Sequence, residues 1–209
     1  MYMNQQRSTT DFWDTRFAGA EYAYGEQPNQ FLQQALGELS PEVAGRALCL
    51  AEGEGRNAAF LAELGYAVTA MDQSRVGLEK AQQLAAKRQV TLTTQQADLN
   101  DYVPPAESFD VVTMIWVHTP EAVRQKSYAI VKRGLKRGGY FILEGYLPAQ
   151  ATRDTGGPSN PDVMFTLQEL QANFADFRFV VGRELTRNVE EGVYHTGVSD
   201  VLQVLAVRL

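Results

Sequence analysis

The sequence predicts an α/β fold: a mostly parallel sheet with helices on both faces, closed by an antiparallel hairpin. Three observations predict it. The apolar run Leu48–Leu50 meets a glycine pair, Gly53 and Gly55, then turns helical through Leu61 and Leu64 up to Gly65. A buried strand, a tight turn and a helix of this kind open nucleotide-binding α/β sheets. Phe109–Trp116 is a nearly continuous apolar run, the pattern of a strand buried on both faces. Phe177–Leu185 and Val201–Leu209 are strand-like runs about 15 residues apart, too close for a crossover helix, so they pair antiparallel.

Residues 1–10 are polar and read as a disordered lead. Phe12, Trp13, Phe17, Tyr22 and Tyr24 put five aromatics in thirteen residues, and with Gly19 and Gly25 between them they fit neither a regular helix nor a strand. Aromatics carry large buried areas, so this segment lies across the domain, either as plain packing or as a cover over a ligand site. Pro28 opens a helix to about Leu39 with Phe31, Leu32, Ala35 and Leu36 on one face.

Tyr66–Asp72 is a second strand that ends in an acid, 19 residues after Gly53. At that offset a carboxylate can accept both ribose hydroxyls of an adenosine. The other reading is a cap on the next helix, about 75–87, for which Ser74 is also available. That helix turns Leu78, Ala81, Leu84 and Ala85 inward. A third strand, about Thr91–Gln95, leads to Asp98, which either faces an adenine edge or is a surface-loop acid. The fourth strand ends at Trp116-Val117-His118, with Thr119 as N-cap and Pro120 as first residue of a helix to about Leu135. Gly138-Gly139 and the strand Tyr140–Gly145 follow. Residues 147–165, with three prolines and Gly156-Gly157, form a long loop of a length that is often functional. Thr166–Glu169 is a capping box whose helix buries Leu167, Leu170 and Phe174.

The glycine turn satisfies Gly53-x-Gly55-x-x-Ala58, the spacing of a dinucleotide fingerprint. Its charges point elsewhere. Glu52 and Glu54 flank Gly53 and would repel a pyrophosphate, which needs N–H groups and positive potential; Arg56 offsets only part of this. A cationic ligand is attracted instead, and S-adenosylmethionine carries a sulfonium and an ammonium but no phosphate. The alternative is that both acids are solvated loop charges.

The 209 residues suffice for one domain with a substantial core. A net charge of -6 argues against a large nucleic-acid surface, and the Lys132, Arg133, Lys136, Arg137 cluster reads as the cation-rich end of a helix. Cys49 is the sole cysteine, which excludes an intramolecular disulfide, and no Cys/His set has zinc spacing. The start of the chain lacks a signal-peptide core, and no stretch is apolar enough to span a membrane. The expectation is a soluble, cytoplasmic protein, monomer or homodimer, bound to neither membrane nor nucleic acid. It forms one domain over 1–209, with 1–40 as a cover segment and helix and 41–209 as the core.

With these elements in place the chain resembles the class I S-adenosylmethionine-dependent methyltransferases, and among them the tellurite-resistance and thiopurine-methyltransferase-like group. The carriers are Phe12-Trp13-Asp14-x-Arg16-Phe17, Tyr22-x-Tyr24-Gly25-x-x-Pro28-Asn29, Leu50–Asn57, Val117-His118-x-Pro120, Gly156-Gly157-Pro158 and Glu191-Gly192-x-Tyr194-His195-x-Gly197. The resemblance implies a Rossmann-like seven-stranded sheet with its last pair antiparallel. It implies a cofactor-binding set of Tyr24, Gly25, Glu52, Gly53, Gly55, Asn57, Asp72, Gln73, Asp98, Leu99 and Trp116. Within it Gly53 and Gly55 contact the methionyl part, Asp72 the ribose, Asp98 the adenine, and Tyr24 and Gly25 lie near the sulfonium. Trp13, Arg16 and Tyr22 are the expected acceptor contacts, and no metal is expected. The family's usual first-strand acid falls at Cys49 and its first glycine at Ala51, so Glu52 is the candidate to supply the carboxylate.

The activity implied is in-line methyl transfer to a small-molecule or metalloid acceptor. His118 and His195, the only histidines, are candidates for a general base or else structural groups bonded to backbone. Two rival readings stand: a non-catalytic S-adenosylmethionine binder, for which Cys49 and Ala51 leave room, and a nicotinamide-dependent oxidoreductase, against which Glu52, Glu54 and the hairpin weigh.

Overall fold

The computed structural model describes residues 9–38 and 45–209. Leu39 and the lead up to residue 8 lie outside them. Two helices come first, α1 (Thr9–Phe17) and α2 (Gln30–Glu38). Alternating units follow: β1 (Arg46–Leu50), α3 (Arg56–Glu63), β2 (Ala67–Asp72), α4 (Arg75–Lys87), β3 (Thr93–Gln96), β4 (Phe109–Ile115), α5 (Glu121–Gly134) and β5 (Leu135–Tyr146). The chain ends with α6 (Leu167–Asn173), β6 (Phe177–Glu191) and β7 (His195–Arg208). The seven strands form one sheet in the order β3-β2-β1-β4-β5-β7-β6. Strands β1 to β5 pair parallel, while β7 runs antiparallel to both β5 and β6.

The chain steps outward from β1 to β2 and β3, then returns to the other side of β1 with β4. Strand order therefore reverses between β1 and β4, and ligands of open α/β sheets sit beyond the carboxyl ends at such a point. Alternation along the strands splits the core in two. Leu48, Leu50, Val112 and Met114 pack with α5 and α6 through Tyr128, Val131, Leu170 and Phe174. Ala47, Cys49, Val111 and Ile115 face α2, α3 and α4 through Leu32, Leu36, Leu61 and Leu78. No described helix is long and apolar enough to cross a membrane.

Several expectations are corrected. Thr9–Phe17 is a regular helix; the glycines that argued against one lie beyond its end. The first turn of α2 is capped by Asn29, whose Oδ1 accepts from Leu32 N at 2.9 Å, so Pro28 precedes the cap rather than opening the helix. Pro120 occupies the N-cap position of α5, and the Thr119 hydroxyl caps nothing; it is buried without a hydrogen-bond partner. Strand β5 starts at Leu135, directly from the end of α5. Residues 147–165 hold two short 3-10 turns, Pro148–Thr152 and Pro161–Val163. Half of the capping box forms: Thr166 accepts from Glu169 N, while the Glu169 carboxylate accepts from Arg124 and Tyr128.

The largest correction is the hairpin. The residues between the two apolar runs are themselves strand, paired from Phe177↔Arg208 out to Glu191↔His195. Strand β5 follows β7 only as far as Tyr146↔Val201. Residues 186–191 and 195–200 thus project past the sheet, over the edge where the parallel strands end. Their polar residues hid them: the face this extension buries carries Glu191, His195 and Ser199 beside Val189.

Candidate functional site

The turn after β1 is built on left-handed backbone: Ala51 at φ 48°, Gly53 at 61° and Gly55 at 86°. Ala51 adopts this conformation against the steric preference of an L-residue. Glu52 Oε1 accepts from Ala58 N at 2.7 Å, inside the first turn of α3, and burial pushes its carboxyl up to about 7 despite that bond and Arg56. Cys49 is fully buried, and burial together with the Glu52 carboxylate raises its thiol well above the ordinary range.

Asp72 ends β2 and is 6% exposed. Its Oδ2 accepts from Gly53 N at 2.8 Å and its Oδ1 from Ser74 N at 2.7 Å. Burial raises its pKa, opposed by these backbone donors. The cap of α4 is Ser74, which accepts from Gly77 N at 3.0 Å. Gln73 takes the hydroxyls of Thr9 and Thr10 on its Oε1. Asp98 Oδ1 closes a turn on the backbone and side-chain nitrogens of Asn100, and Leu99 packs into the core. Asn57 accepts from Asn29 N at 2.9 Å and so anchors the start of α2.

Glu54 is not a free loop charge. It is 4% exposed, pairs with Lys80 Nζ at 2.5 Å and accepts from Ala23 N at 2.8 Å. Arg56 is also committed, to Glu191 at 2.5 Å and to Gln27 O. The loop therefore offers a pyrophosphate no unpaired cation, and Glu52 and Asp72, the two acids here without an ion pair among the described residues, are held by backbone N–H groups instead.

The aromatic segment lies on this turn. Phe17 is 3% exposed; a Cβ on either Gly53 or Gly77 would fall 2.9 Å from its ring, so both positions need glycine for this contact. Trp13 stacks on Phe17 at 5.5 Å. Lys80 Nζ collects the carbonyls of Phe17, Gly19 and Glu21, and Tyr22 gives its hydroxyl proton to Lys80 O. Arg16 donates to Tyr24 Oη at 3.2 Å and lies 3.9 Å from the centroid of the Tyr194 ring. Gly25, at φ 73°, turns the chain beneath the hairpin tip.

Beyond the end of β4 a cluster of rings forms. Trp116 lies 4.5 Å from Tyr146 and 4.8 Å from His195; Tyr24 lies 4.7 Å from His195. His118 stacks on Tyr146 at 5.3 Å. The two histidines differ. His118 Nε2 accepts from Tyr146 N at 2.8 Å, so its lone pair is occupied. His195 Nδ1 is buried and has no partner. Burial lowers both imidazoles to about 3 and keeps them neutral.

Under the rings runs a buried ionic network that the sequence reading did not assign. Arg187 pairs with Glu144 at 2.7 Å and with Glu191 at 2.9 Å. Asn29 Nδ2 donates to both carboxylates, at 2.5 and 2.9 Å, Gln203 donates to Glu144 at 2.7 Å, and Trp116 Nε1 donates to Glu191 at 2.7 Å. One signal was available: Glu144 is a lone acid inside the apolar strand Tyr140–Gly145. Among the described residues no group of His, Cys, Asp and Glu could hold a metal ion.

Residues 47–139 match the model of the methyltransferase domain family. No curated protein matches the chain. Solved structures share the fold. One, from work on the conversion of a disulfide bond into a thioacetal group during echinomycin biosynthesis, is 18% identical with a TM-score of 0.74, over 95% of this chain and 92% of that one. TehB from Haemophilus influenzae is 18% identical with a TM-score of 0.70, over 96% and 67%. An S-adenosylmethionine-dependent methyltransferase from Mesorhizobium loti is 19% identical with a TM-score of 0.62, over 84% and 96%. The match covers less than half of the chain and shows a methyltransferase-like segment over residues 47–139. The seven-stranded sheet with its antiparallel last pair is the fold shared with solved S-adenosylmethionine-dependent methyltransferases.

Proposed function

We propose that the protein transfers a methyl group from S-adenosylmethionine to a small acceptor, a small molecule or a metalloid, as one domain over residues 1–209 with 1–40 as its cover and 41–209 as its core. The observation that carries the reading is the charge state of the glycine turn. Glu52 and Asp72 meet a ligand at the ends of β1 and β2, while Arg56 is held by Glu191 and Lys80 holds Glu54. That donor set suits a cationic, phosphate-free nucleotide and disfavours a dinucleotide. The likeness to TehB supports a place in the tellurite-resistance-like group.

In this reading Glu52 and the Gly53–Gly55 backbone hold the amino-acid end, Asp72 and Gln73 the ribose, and Asp98 and Leu99 the adenine. Tyr24, Gly25, Asn57 and Trp116 complete the cofactor side. When bound, the cofactor supplies a methyl group on a sulfonium that is already a good leaving group. What the chain adds is alignment and exclusion of water, effects that reach about 7–11 kcal/mol in favourable cases. Trp13, Phe17 and Tyr24 close over the turn from one side and the hairpin tip from the other; Arg16 and Tyr22 brace that cover.

His195 is the histidine with a ring nitrogen left to meet an acceptor, since its Nδ1 has no partner. A neutral imidazole at about 3 is a weak base. Its role is therefore to accept a hydrogen bond and orient a protic acceptor, and His118 keeps the Tyr146 backbone in place. A rate profile without a step near pH 6.5 is expected; a step there that His195→Asn removes would restore the general-base role.

The first test is calorimetric titration with S-adenosylmethionine, S-adenosylhomocysteine and NADH. Binding of the first two is expected, weakened about 10–100-fold by Asp72→Ala, the worth of hydrogen bonds to a charged group. Binding of NADH alone would return the oxidoreductase reading. Cofactor binding without turnover over a broad acceptor panel would favour the non-catalytic binder.

A further inference from the structure

Trp116 is a bulky residue in left-handed backbone, φ 60°, at the end of a central strand. Such a conformation persists only where the surroundings over-determine it. Two bonds do so here. Its N–H donates to Glu144 O at 2.8 Å, and its indole Nε1 donates to Glu191 Oε2 at 2.7 Å.

Glu191 is 4% exposed and gathers donors from four separate parts of the chain. Arg56, at the start of the glycine-turn helix, and Trp116 share Oε2. Asn29, the cap of α2, and Arg187 share Oε1. Glu191 also faces His195 across the hairpin register. The next residue, Gly192, lies so close to the backbone of Tyr24 that a Cβ would fall 2.4 Å from it, and Val193 N donates to Ala23 O.

We infer that Glu191 is a positioning residue for methyl transfer: one carboxylate fixes the Trp116 ring against His195 and ties both, through Arg56, to the helix that opens at the glycine turn. The inference rests on the methyltransferase reading above. Glu144 provides the internal control. It is equally buried and bonds the same Asn29 and Arg187, but its carboxylate touches neither Arg56 nor the Trp116 indole. A network that served stability alone would respond alike to the loss of either charge.

The chain has two tryptophans, so in Trp13→Phe protein the emission reports Trp116 alone. In that background Glu191→Gln is expected to change the Trp116 emission maximum, and in the otherwise unchanged chain to weaken S-adenosylhomocysteine binding about tenfold or more. Glu144→Gln disturbs the shared Asn29 and Arg187 bonds but leaves the Arg56 and indole bonds of Glu191 in place, so it is expected to move both readouts clearly less than Glu191→Gln does. An unchanged emission and affinity in Glu191→Gln, or equal changes in the two variants, would overturn the role. If Glu191→Gln does not fold, Glu191→Asp, which keeps the charge and withdraws it by one methylene, is read by the same two criteria. Failure of the unchanged chain to bind S-adenosylhomocysteine would remove the methyltransferase reading and the role with it. Binding by the unchanged chain with an unshifted Glu191 variant would remove the role alone.

Discussion

The two flanks of the ligand edge are built by different means. On the cofactor flank the work is done by backbone: the N–H groups of Gly53 and Ser74 hold Asp72, and the first turn of α3 holds Glu52. All of these groups lie between Glu52 and Ser74. On the ring flank the work is done by side chains that meet from Asn29, Arg56, Trp116, Glu144, Arg187, Glu191 and Gln203. A site made of backbone tolerates exchange of the residues around it, which fits Cys49 and Ala51 standing where the resemblance leads one to expect an acid and a glycine. A site made of paired buried charges does not, because each partner removed leaves another uncompensated.

The sharpest way to break that contrast is Arg187→Met. Arg187 donates to both oxygens of Glu144 and to Glu191, and these bonds hold its guanidinium above the ordinary pKa against the cost of burial. Its loss leaves Arg56 as the remaining guanidinium bonded to either of the two buried carboxylates. The expected destabilisation is about 3–5 kcal/mol, read by urea unfolding. Adding Glu144→Leu is expected to recover part of it by removing the stranded charge. A loss under about 1 kcal/mol would mean that the ring flank stands on packing and that the two flanks do not differ in this way.

The same contrast explains what the sequence disclosed. The glycine turn, the acid at the end of β2, the Ser74 cap, the buried β4 and the antiparallel ending were legible because each is a local pattern. The hairpin extension was not, since Arg187, Asn188, Glu190 and Glu191 break the apolar alternation that marks a strand. The role of Glu54 was misjudged for a related reason: its partner Lys80 comes from the next helix, and an acid beside a glycine looks free until the fold closes. Asn29 and Glu191 lie in the stretches that carry the family resemblance, yet nothing local shows that they touch each other. Of the two histidines, only their surroundings reveal that one lone pair is spent and the other is bare.

A smaller effect probes the cofactor flank. Burial raises Glu52 from 4.5 to about 7, so the folded protein keeps its proton at a pH where the unfolded chain has lost it. The stability this group contributes is full below about pH 4.5 and declines as pH rises to about 7. A cationic ligand favours the ionised form, so S-adenosylmethionine affinity is expected to rise up to about tenfold between pH 6 and 8. Glu52→Gln should flatten this profile. A slope unchanged in that variant would place the titrating group elsewhere and leave the Glu52 carboxylate without a part in binding.

The smallest effect comes from two neighbours with similar backbone and opposite needs. Ala51 and Gly53 lie at φ 48° and 61°. A left-handed conformation costs an L-residue about 1–2 kcal/mol, and glycine relieves it at about 0.5–1 kcal/mol of added chain entropy. Ala51→Gly is therefore expected to stabilise the fold by up to about 1 kcal/mol, a rise of about 2–4 °C in Tm for a chain of this size. Gly53→Ala adds the same conformational cost and also drives a methyl to 2.9 Å from the Phe17 ring, so it should lower Tm and loosen the cover. Differential scanning calorimetry of both variants decides the point. If Ala51→Gly destabilises, the Ala51 methyl group, which packs against the core beneath the turn, outweighs the backbone strain. The turn would then be held by side-chain contact, as the ring flank is, and not by backbone alone.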